Sequence, residues 1–252
     1  MSKRVFSQVS SEEVATSKVS KLNQEDGVKL ILQAFEDQNV QKIIEIVKKY
    51  NFVPNDAFAI HVDDNDDDDS DDEMKTYYLK VDKDFRKYDQ VYVLIHYAYE
   101  YKSIELIDFL LTFKKINFNQ EDQSGWIPLS YQMDNKEIVK KTINHKSYDI
   151  NNLEVSDDRG DGGVTILIHY IEKDDADMVQ YILDKGADVN KKDEILEECP
   201  LMYCKSLEVA KILINHKDFD PNAEGDGYRL CDFDYESQEI NEMVKNHKDF
   251  KF

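Results

Sequence analysis

Pairs of apolar residues recur along this chain with one fixed spacing, and this recurrence restricts the possible folds more than any other feature. In each set the residues stand at positions i, i+1, i+4 and i+5, with Thr142 as a polar exception. This spacing places them on one stripe of a helix. The sets begin at Leu106, Ile138, Met178 and Val209, so they are 32, 40 and 31 residues apart. The recurrence indicates one helical unit copied several times.

The segments on both sides of each stripe repeat as well. An Asn follows each stripe, at positions 119, 151, 190 and 222. Before the stripes, LIHY at 94–97 returns at 167–170, and IPL at 127–129 is echoed by CPL at 199–201. A copied unit therefore includes a segment before the stripe, the striped helix and a turn that ends at the Asn.

These letters resemble the ankyrin repeat, whose pattern combines D-x-x-G-x-T-P-L-H with two helices and a closing G-A-D-V-N. The best match is TILIHYIEKDDADMVQYILDKGADVN, Thr165 to Asn190, in which Gly186 takes the helix-ending position. The next is the segment from Asp122 to Asn151, which keeps Gly125, Pro128 and Leu129. The resemblance implies an all-α protein, an ankyrin-type α-solenoid of about six helix-turn-helix repeats.

The repeat register divides the chain into a tail and one domain. Residues 1–20 are polar and Ser-rich, which predicts a flexible N-terminal tail. The ankyrin-repeat domain is expected over 21–252, and its last repeat, 223–252, has a more polar stripe that suits a C-terminal cap. The repeats are expected at 22–55, 88–119, 120–151, 152–190, 191–222 and 223–252.

An acidic run separates the first two repeats. It lies within residues 56–87, and we interpret this segment as a loop inserted between repeats 1 and 2. The run does not match a calcium-binding EF-hand loop, because Asp68 and Met74 stand where Gly and Glu are needed. It is either a solvated loop or a docking arm for a basic partner. Its nine carboxylates are Asp63, Asp64, Asp66, Asp67, Asp68, Asp69, Asp71, Asp72 and Glu73.

Ser70 lies inside the acidic run and is a candidate phosphorylation site, because Asp71, Asp72 and Glu73 follow it. Phosphorylation there would add further negative charge to the run.

The charge of the whole chain restricts its partners. The formal charge is −21, and removing the nine carboxylates of the run would still leave −12. Such a charge repels phosphates and anionic lipids, so we expect a neutral or basic protein partner, no nucleic acid and no membrane. Cys199, Cys204 and Cys231 are expected to be free thiols, which favours the cytoplasm, with the nucleus also possible. The sequence does not indicate an oligomeric state.

Signs of catalysis or of a metal site are weak. The segment from Asp157 to Gly163 matches neither a calcium loop nor a phosphate-binding loop, and is interpreted as a lengthened finger turn. Five of the six histidines recur in register, which predicts a structural role, bonding to backbone across the stack. We therefore expect no enzyme, no catalytic residues, no metal and no cofactor.

The resemblance implies a concave binding surface made of finger tips and first helices. Trp126 is expected to be an exposed anchor, although it could instead pack on a neighbouring finger. Tyr99 and Tyr101, in the first helix expected over 92–101, are predicted to be exposed, whereas Tyr97, in the LIHY motif, is expected in the core. The other candidates are variable finger positions, namely Gln123, Ser124, Arg159 and Tyr228.

Three functional hypotheses remain open at this stage. The first is a non-catalytic interaction module, either an adaptor or a subunit of a larger assembly. The second is an acidic chaperone for basic client proteins that acts through the Asp-rich loop. The third is an ankyrin-bearing effector secreted by an intracellular microbe, for which the sequence offers no export signal.

Overall fold

The computed structural model describes residues 26–63, 74–79, 90–155, 163–194, 196–235 and 237–251. The chain divides into two compact units, unit 1 ending at Phe113 and unit 2 beginning at Lys114. Both units consist mainly of short helices connected by turns and small hairpins. Among the described helices, none has the length and the apolar character that a membrane span requires.

Unit 1 contains two pairs of helices. A helix over residues 26–36 (α1) is followed by Val40–Tyr50 (α2), and Leu94–Glu100 (α3) is followed by Ile104–Leu110 (α4). The apolar stripe that begins at Leu106 lies in α4, and its side chains at 106, 107 and 110 are buried. The predicted helical stripe is therefore confirmed here.

A three-stranded antiparallel sheet connects the two helix pairs. Its strands are Ala57–Asp63 (β1), Met74–Leu79 (β2) and Gln90–Val93 (β3), in the order β2-β1-β3. Asp63 pairs with Met74 at one end of the hairpin, and Ala57 pairs with Val93. Residues 64–73, which hold the rest of the acidic run and Ser70, lie outside the described residues.

The sheet corrects three predictions. The chain is not all-α, and the segment 56–87 is not simply a loop, because it contains β1 and β2. The helix expected over 92–101 is also shorter, because residues 90–93 form β3. The β-branched and aromatic letters of KTYYL and QVYV favour strands, and Phe58 is buried against the rings of Phe35 and Phe52.

Each copy in unit 2 consists of a finger, which is a turn or a hairpin, followed by a short first helical segment and a second helix. Its first segments are either one α-helix, Ile166–Glu172 (α6), or 3-10 helices at Pro128–Gln132, Pro200–Tyr203 and Leu230–Asp232. Its second helices are Lys136–Ile143 (α5), Ala176–Asp184 (α7), Leu207–Ile214 (α8) and Gln238–Lys245 (α9). Two hairpins form fingers: Leu153–Val155 with Gly163–Thr165 (β4, β5), and Glu224–Gly225 with Tyr228–Arg229 (β6, β7).

Each second helix begins with the same device. A short polar side chain at the N-cap accepts a hydrogen bond from a backbone N–H in the first turn. This bond satisfies one of the N–H groups that a helix leaves unpaired at its start. The capping residues are Asn39, Ser103, Asn135, Asp175, Ser206 and Ser237.

Three of the four recurring Asn residues bond to the next copy of the repeat. The Asn151 side-chain oxygen accepts from the N–H of Asp188 at 2.7 Å. Asn190 uses both ends of its amide, accepting from the N–H of Asp220 at 3.0 Å and donating to the carbonyl of Asp218 at 2.7 Å. Asn222 does the same with the N–H of Lys251 and the carbonyl of Asp249. We call Asn151, Asn190 and Asn222 the asparagine ladder.

The repeated histidines bond locally. The Nδ1 atoms of His145, His216 and His247 each accept the N–H of the residue two positions later, at 3.2–3.4 Å. The expected backbone bond across the stack is therefore wrong for His216 and His247. The contact between copies is aromatic instead, since Phe118 meets the His145 ring edge-on and Phe219 meets that of His247.

Candidate protein-binding surface

The finger turn at residues 122–126 is held by one carboxylate. Asp122 Oδ1 accepts the N–H groups of Ser124 at 2.8 Å and Trp126 at 3.0 Å, and the N–H of Asp122 donates to the carbonyl of Trp126. Gly125 has a φ of +82°, where a side chain would be strained. Tyr131 donates its hydroxyl to Asp122 Oδ2. The turn therefore presents Trp126 from a backbone fixed by several hydrogen bonds.

The finger at residues 193–198 uses the same arrangement. Asp193, only 5% exposed, accepts the N–H groups of Leu196 at 2.7 Å and Glu198 at 2.9 Å, and the Tyr203 hydroxyl at 2.7 Å. Asp122 and Asp193 were not predicted as anchors from the sequence. Their signal is an Asp at the start of the finger followed by a Tyr nine or ten residues later, after the shared Pro-Leu.

The hairpin of β6 and β7 packs against the finger before it. A Cβ built on Gly225 would lie 2.7 Å from Met202 Sδ and 3.0 Å from both Cys199 N and Glu197 O, so only Gly fits. Cys199 Sγ also contacts the carbonyl of Glu224 at 3.4 Å. This close packing fixes the position of the hairpin tip relative to the finger before it.

These three fingers carry exposed or half-buried apolar side chains. Tyr228 is 55% exposed and Leu196 is 46% exposed. Trp126 is half-buried, with its ring centroid 5.2 Å from that of Tyr131, so it packs on its own repeat and still reaches the surface. Gln123 and Ser124 are exposed beside it. We call Trp126, Leu196 and Tyr228 the finger-tip row; Leu196 was not predicted.

The surroundings of the finger-tip row are acidic. Exposed carboxylates lie on all three fingers. Lys192 is an exposed cation beside the second of them, and Arg229 donates to the carbonyl of Lys251 and lies 5.2 Å from the centroid of the Phe250 ring. A partner at this surface meets apolar groups surrounded by negative charge. The exposed carboxylates are Glu121, Glu194, Glu197, Glu224 and Asp226.

The tyrosines in α3 and at its C-cap correct one prediction and match another. Tyr99 is 0% exposed, so its expected exposure is wrong, whereas Tyr101 is 45% exposed as predicted. Tyr97 is core: it stacks on Phe35 at 4.1 Å and donates to the Phe35 carbonyl at 2.8 Å. Burial raises the pKa of Tyr97 to about 12, with the nearby Tyr101 and Glu100 adding to the effect. The predicted candidate Arg159 lies outside the described residues.

The three cysteines are free and buried. Burial raises the pKa of Cys199 to about 11 and also raises the pKa values of Cys204 and Cys231. Thiols in this state are poor nucleophiles and poor metal ligands, because both roles need the thiolate. In the described part of the chain, no three His, Cys, Asp or Glu side chains form a group that could hold a metal ion.

Comparison with known proteins gives one family. The family model described as ankyrin repeats (three copies) matches residues 95–193 and 129–225. Among solved structures, the ankyrin repeat domain of Bcl-3, described as a unique member of the IkappaB protein family, matches with a TM-score of 0.50. The identity is 18%, over 62% of this chain and 68% of that chain, so this likeness concerns the fold alone. No curated protein matches the sequence.

Proposed function

Because the chain belongs to the ankyrin-repeat family, we propose that it is a non-catalytic protein-binding module, an adaptor or a subunit of a larger assembly. Ankyrin repeats are generally protein–protein interaction modules. The observation that supports the proposal best is the finger-tip row, in which three large apolar side chains reach the surface from closely held turns. The binding surface comprises these finger tips and the neighbouring first helical segments of unit 2.

The partner proposed for this surface is a basic protein with apolar contact residues. Trp and Tyr are the residue types most often responsible for binding energy at interfaces, so Trp126 and Tyr228 are the expected anchors. The exposed carboxylates on the same fingers attract a basic partner and accelerate its association. The buried free thiols support a reducing compartment, which we propose is the cytoplasm or the nucleus.

The test uses a variant that removes the finger-tip row. Wild-type protein and the triple variant Trp126→Ala, Leu196→Ala, Tyr228→Ala are used as baits in extracts of the source cells, and each captured protein is then purified for titration. We expect the triple variant to lose its partner while it keeps a cooperative thermal transition. Leu30→Ala is the matched control, since Leu30 is an exposed apolar residue outside the row. A purified partner that binds the triple variant and the wild type equally contradicts the proposal.

The acidic chaperone is the alternative function. Its support is the acidic run, of which eight carboxylates stand in the sequence between Asp63 and Met74. Replacing residues 64–73 by a Gly-Ser linker distinguishes the two functions, with core histones as the basic probe. The chaperone is favoured if histone binding is salt-sensitive, is lost in the linker variant and is unchanged in the triple variant. The interaction module is favoured if binding is lost in the triple variant and unchanged in the linker variant.

A further inference from the structure

A groove in unit 1 has an unusual lining. It lies between the end of α2 and the end of α4 and has a volume of about 540 Å³. Volumes of this size are typical of ligand-binding clefts, which span roughly 300–1,000 Å³. Its lining includes Val47, Phe52, Val53, Phe109, Phe113 and Lys48. We call it the outer groove.

The apolar lining of the outer groove reaches the surface. Val53 is 44% exposed, and Phe109 and Phe113 are half-buried. The two Phe rings meet edge-on, with centroids 5.7 Å apart. A contiguous apolar patch of this kind is a common mark of an interaction site.

Equivalent grooves in unit 2 have a different lining. Phe113 is the tenth residue after the N-cap Ser103. The tenth residue after the N-caps Asn135, Ser206 and Ser237 is a histidine, and the tenth after Asp175 is Lys185. The groove between α7 and α8 has a volume of about 690 Å³ and includes His216 and four charged side chains. The groove between α8 and α9 includes two histidines and two lysines.

The Phe at position 113 cannot perform the local task of these histidines. Their Nδ1 atoms accept a backbone N–H two residues later, which a phenyl ring cannot do. The helix pairs of unit 2 pack with a polar residue at this position, so packing of the fold does not require a second Phe beside Phe109. The apolar lining therefore needs another explanation, and a bound partner provides one.

The charge of the outer groove restricts the occupant. Among the described residues that line it, Lys48 alone is charged, and its Nζ lies 5.2 Å from the centroid of the Phe109 ring. This cation stands in a chain with a formal charge of −21. An occupant that combines apolar side chains with a carboxylate fits this arrangement, because the carboxylate can pair with Lys48.

We propose that the outer groove is a second docking site, and that its occupant is an amphipathic segment of a partner protein. Two large apolar side chains of the segment cover Phe109 and Phe113, and one of its carboxylates pairs with Lys48. The site goes beyond the finger-tip row and does not depend on it, because the two involve different residues and opposite charges.

The experiment selects peptides on the full-length protein. A phage library of random peptides of ~12 residues, enough for about three helical turns, is selected on the wild type and counter-selected on Phe113→His. The replacement places in the groove the residue that three of the four equivalent unit 2 positions have, so the fold should persist. We expect peptides with two large apolar residues and Asp or Glu, whose affinity falls at least about tenfold in Phe113→His and in Lys48→Glu.

Two further measurements keep the test decisive. Val53→Asp alters an exposed residue outside the helices and should weaken the same peptides, even if Phe113→His proves unstable. The triple finger-tip variant should bind them unchanged. The proposal is overturned if no selected peptide depends on Phe113 or Val53, or if the dependent peptides are basic. It is also overturned if sedimentation shows a dimer that Phe113→His dissociates, because the occupant is then a second copy.

Discussion

The finger-tip row of unit 2 and the outer groove of unit 1 both expose apolar side chains, but in opposite electrostatic surroundings. The row is accompanied by carboxylates such as Glu197 and Asp226, whereas the groove has one cation, Lys48. The row is presented on turns fixed by side-chain hydrogen bonds, and the groove is a gap between two helix ends. One copied repeat can therefore offer surfaces for two chemistries, because only a few positions that the fold leaves free need to change.

The largest expected effect concerns the rigidity of the fingers. Replacing Asp193 by Ala leaves two N–H groups and a Tyr hydroxyl without their acceptor, so the free energy of unfolding should fall by about 3 kcal/mol. Urea unfolding followed by circular dichroism measures the change. Asp193→Asn, which keeps one acceptor oxygen, should lose less. An unchanged unfolding midpoint for Asp193→Ala would show that the carboxylate does not hold the turn. The fingers would then no longer differ from the outer groove in being fixed by side-chain hydrogen bonds.

The next effect concerns the packing between fingers. In Gly225→Ala the new methyl meets the backbone atoms Cys199 N and Glu197 O at 3.0 Å, and backbone cannot easily move away. We expect a loss of about 2 kcal/mol in unfolding free energy, measured by urea titration. Gly227→Ala is the control, since its φ of +76° costs only about 1 kcal/mol of backbone strain and its Cβ would meet nothing within 4 Å. Equal losses in both variants would contradict the close stacking of the hairpin.

A smaller effect on stability should accompany a large effect on binding at Trp126. Its ring is half-buried against Tyr131, so Trp126→Ala should reduce the unfolding free energy by only about 1 kcal/mol. Binding of the natural partner should weaken at least about tenfold, because Trp is a frequent anchor. Thermal unfolding and calorimetric titration separate the two quantities, with Trp126→Phe as an intermediate. A large fall in melting temperature would instead assign Trp126 to the core and leave the outer groove as the better docking surface.

The smallest effect concerns an ion pair that belongs to neither surface. A hydrogen bond from Lys173 lowers the pKa of Asp134 despite the opposing effect of partial burial, and the charge of His169 adds to the lowering. The pKa of the Asp134 carboxyl is lower in the folded state than in the unfolded chain. Its contribution to stability is therefore present above the ordinary Asp pKa of about 4 and is lost as the pH falls further. The pair is largely exposed, so we expect at most about 0.5 kcal/mol.

The measurement for this pair is the difference between wild type and Lys173→Met in urea unfolding. The difference should be present at neutral pH and should shrink in acid, below the ordinary Asp pKa. If the difference in unfolding free energy grew as the pH falls, its sign would contradict a lowered pKa for Asp134. Neither peptide binding at the outer groove nor partner binding at the finger-tip row should change.

Helices were the predictable part of the fold. The four-residue stripe is a direct consequence of helical geometry, so α4, α5, α7 and α8 could be located from apolar spacing alone. The strands β1 and β2 were missed because the acidic run between them dominates the composition of that segment. Pairing of strands that are distant in sequence leaves a weaker local signal than a helical stripe.

The candidate site was only partly predictable. The residue types at the finger positions identified Trp126 and Tyr228. The exposure of Leu196 depends instead on the turn that Asp193 holds, through hydrogen bonds to the N–H of Leu196 and to the hydroxyl of Tyr203 in the following 3-10 helix. The predicted exposure of Tyr99 was wrong because α3 is short and residues 94–99 are all buried, so the spacing of residues along the helix does not identify an exposed face. The register of Phe113 with the histidines was visible in the letters, whereas the groove beside it requires the packing of α2 against α4.

The asparagine ladder has a consequence for how such a chain can change its length. Asn151, Asn190 and Asn222 all connect forward in the same way, through a side-chain amide that bonds to the backbone at the end of the next copy. At these three joints, each copy thus presents a like connector to its successor. Copies joined in this way are interchangeable at the joint, so gene duplication or deletion of a whole copy leaves matched ends, and docking surfaces can be added or removed without redesigning the frame.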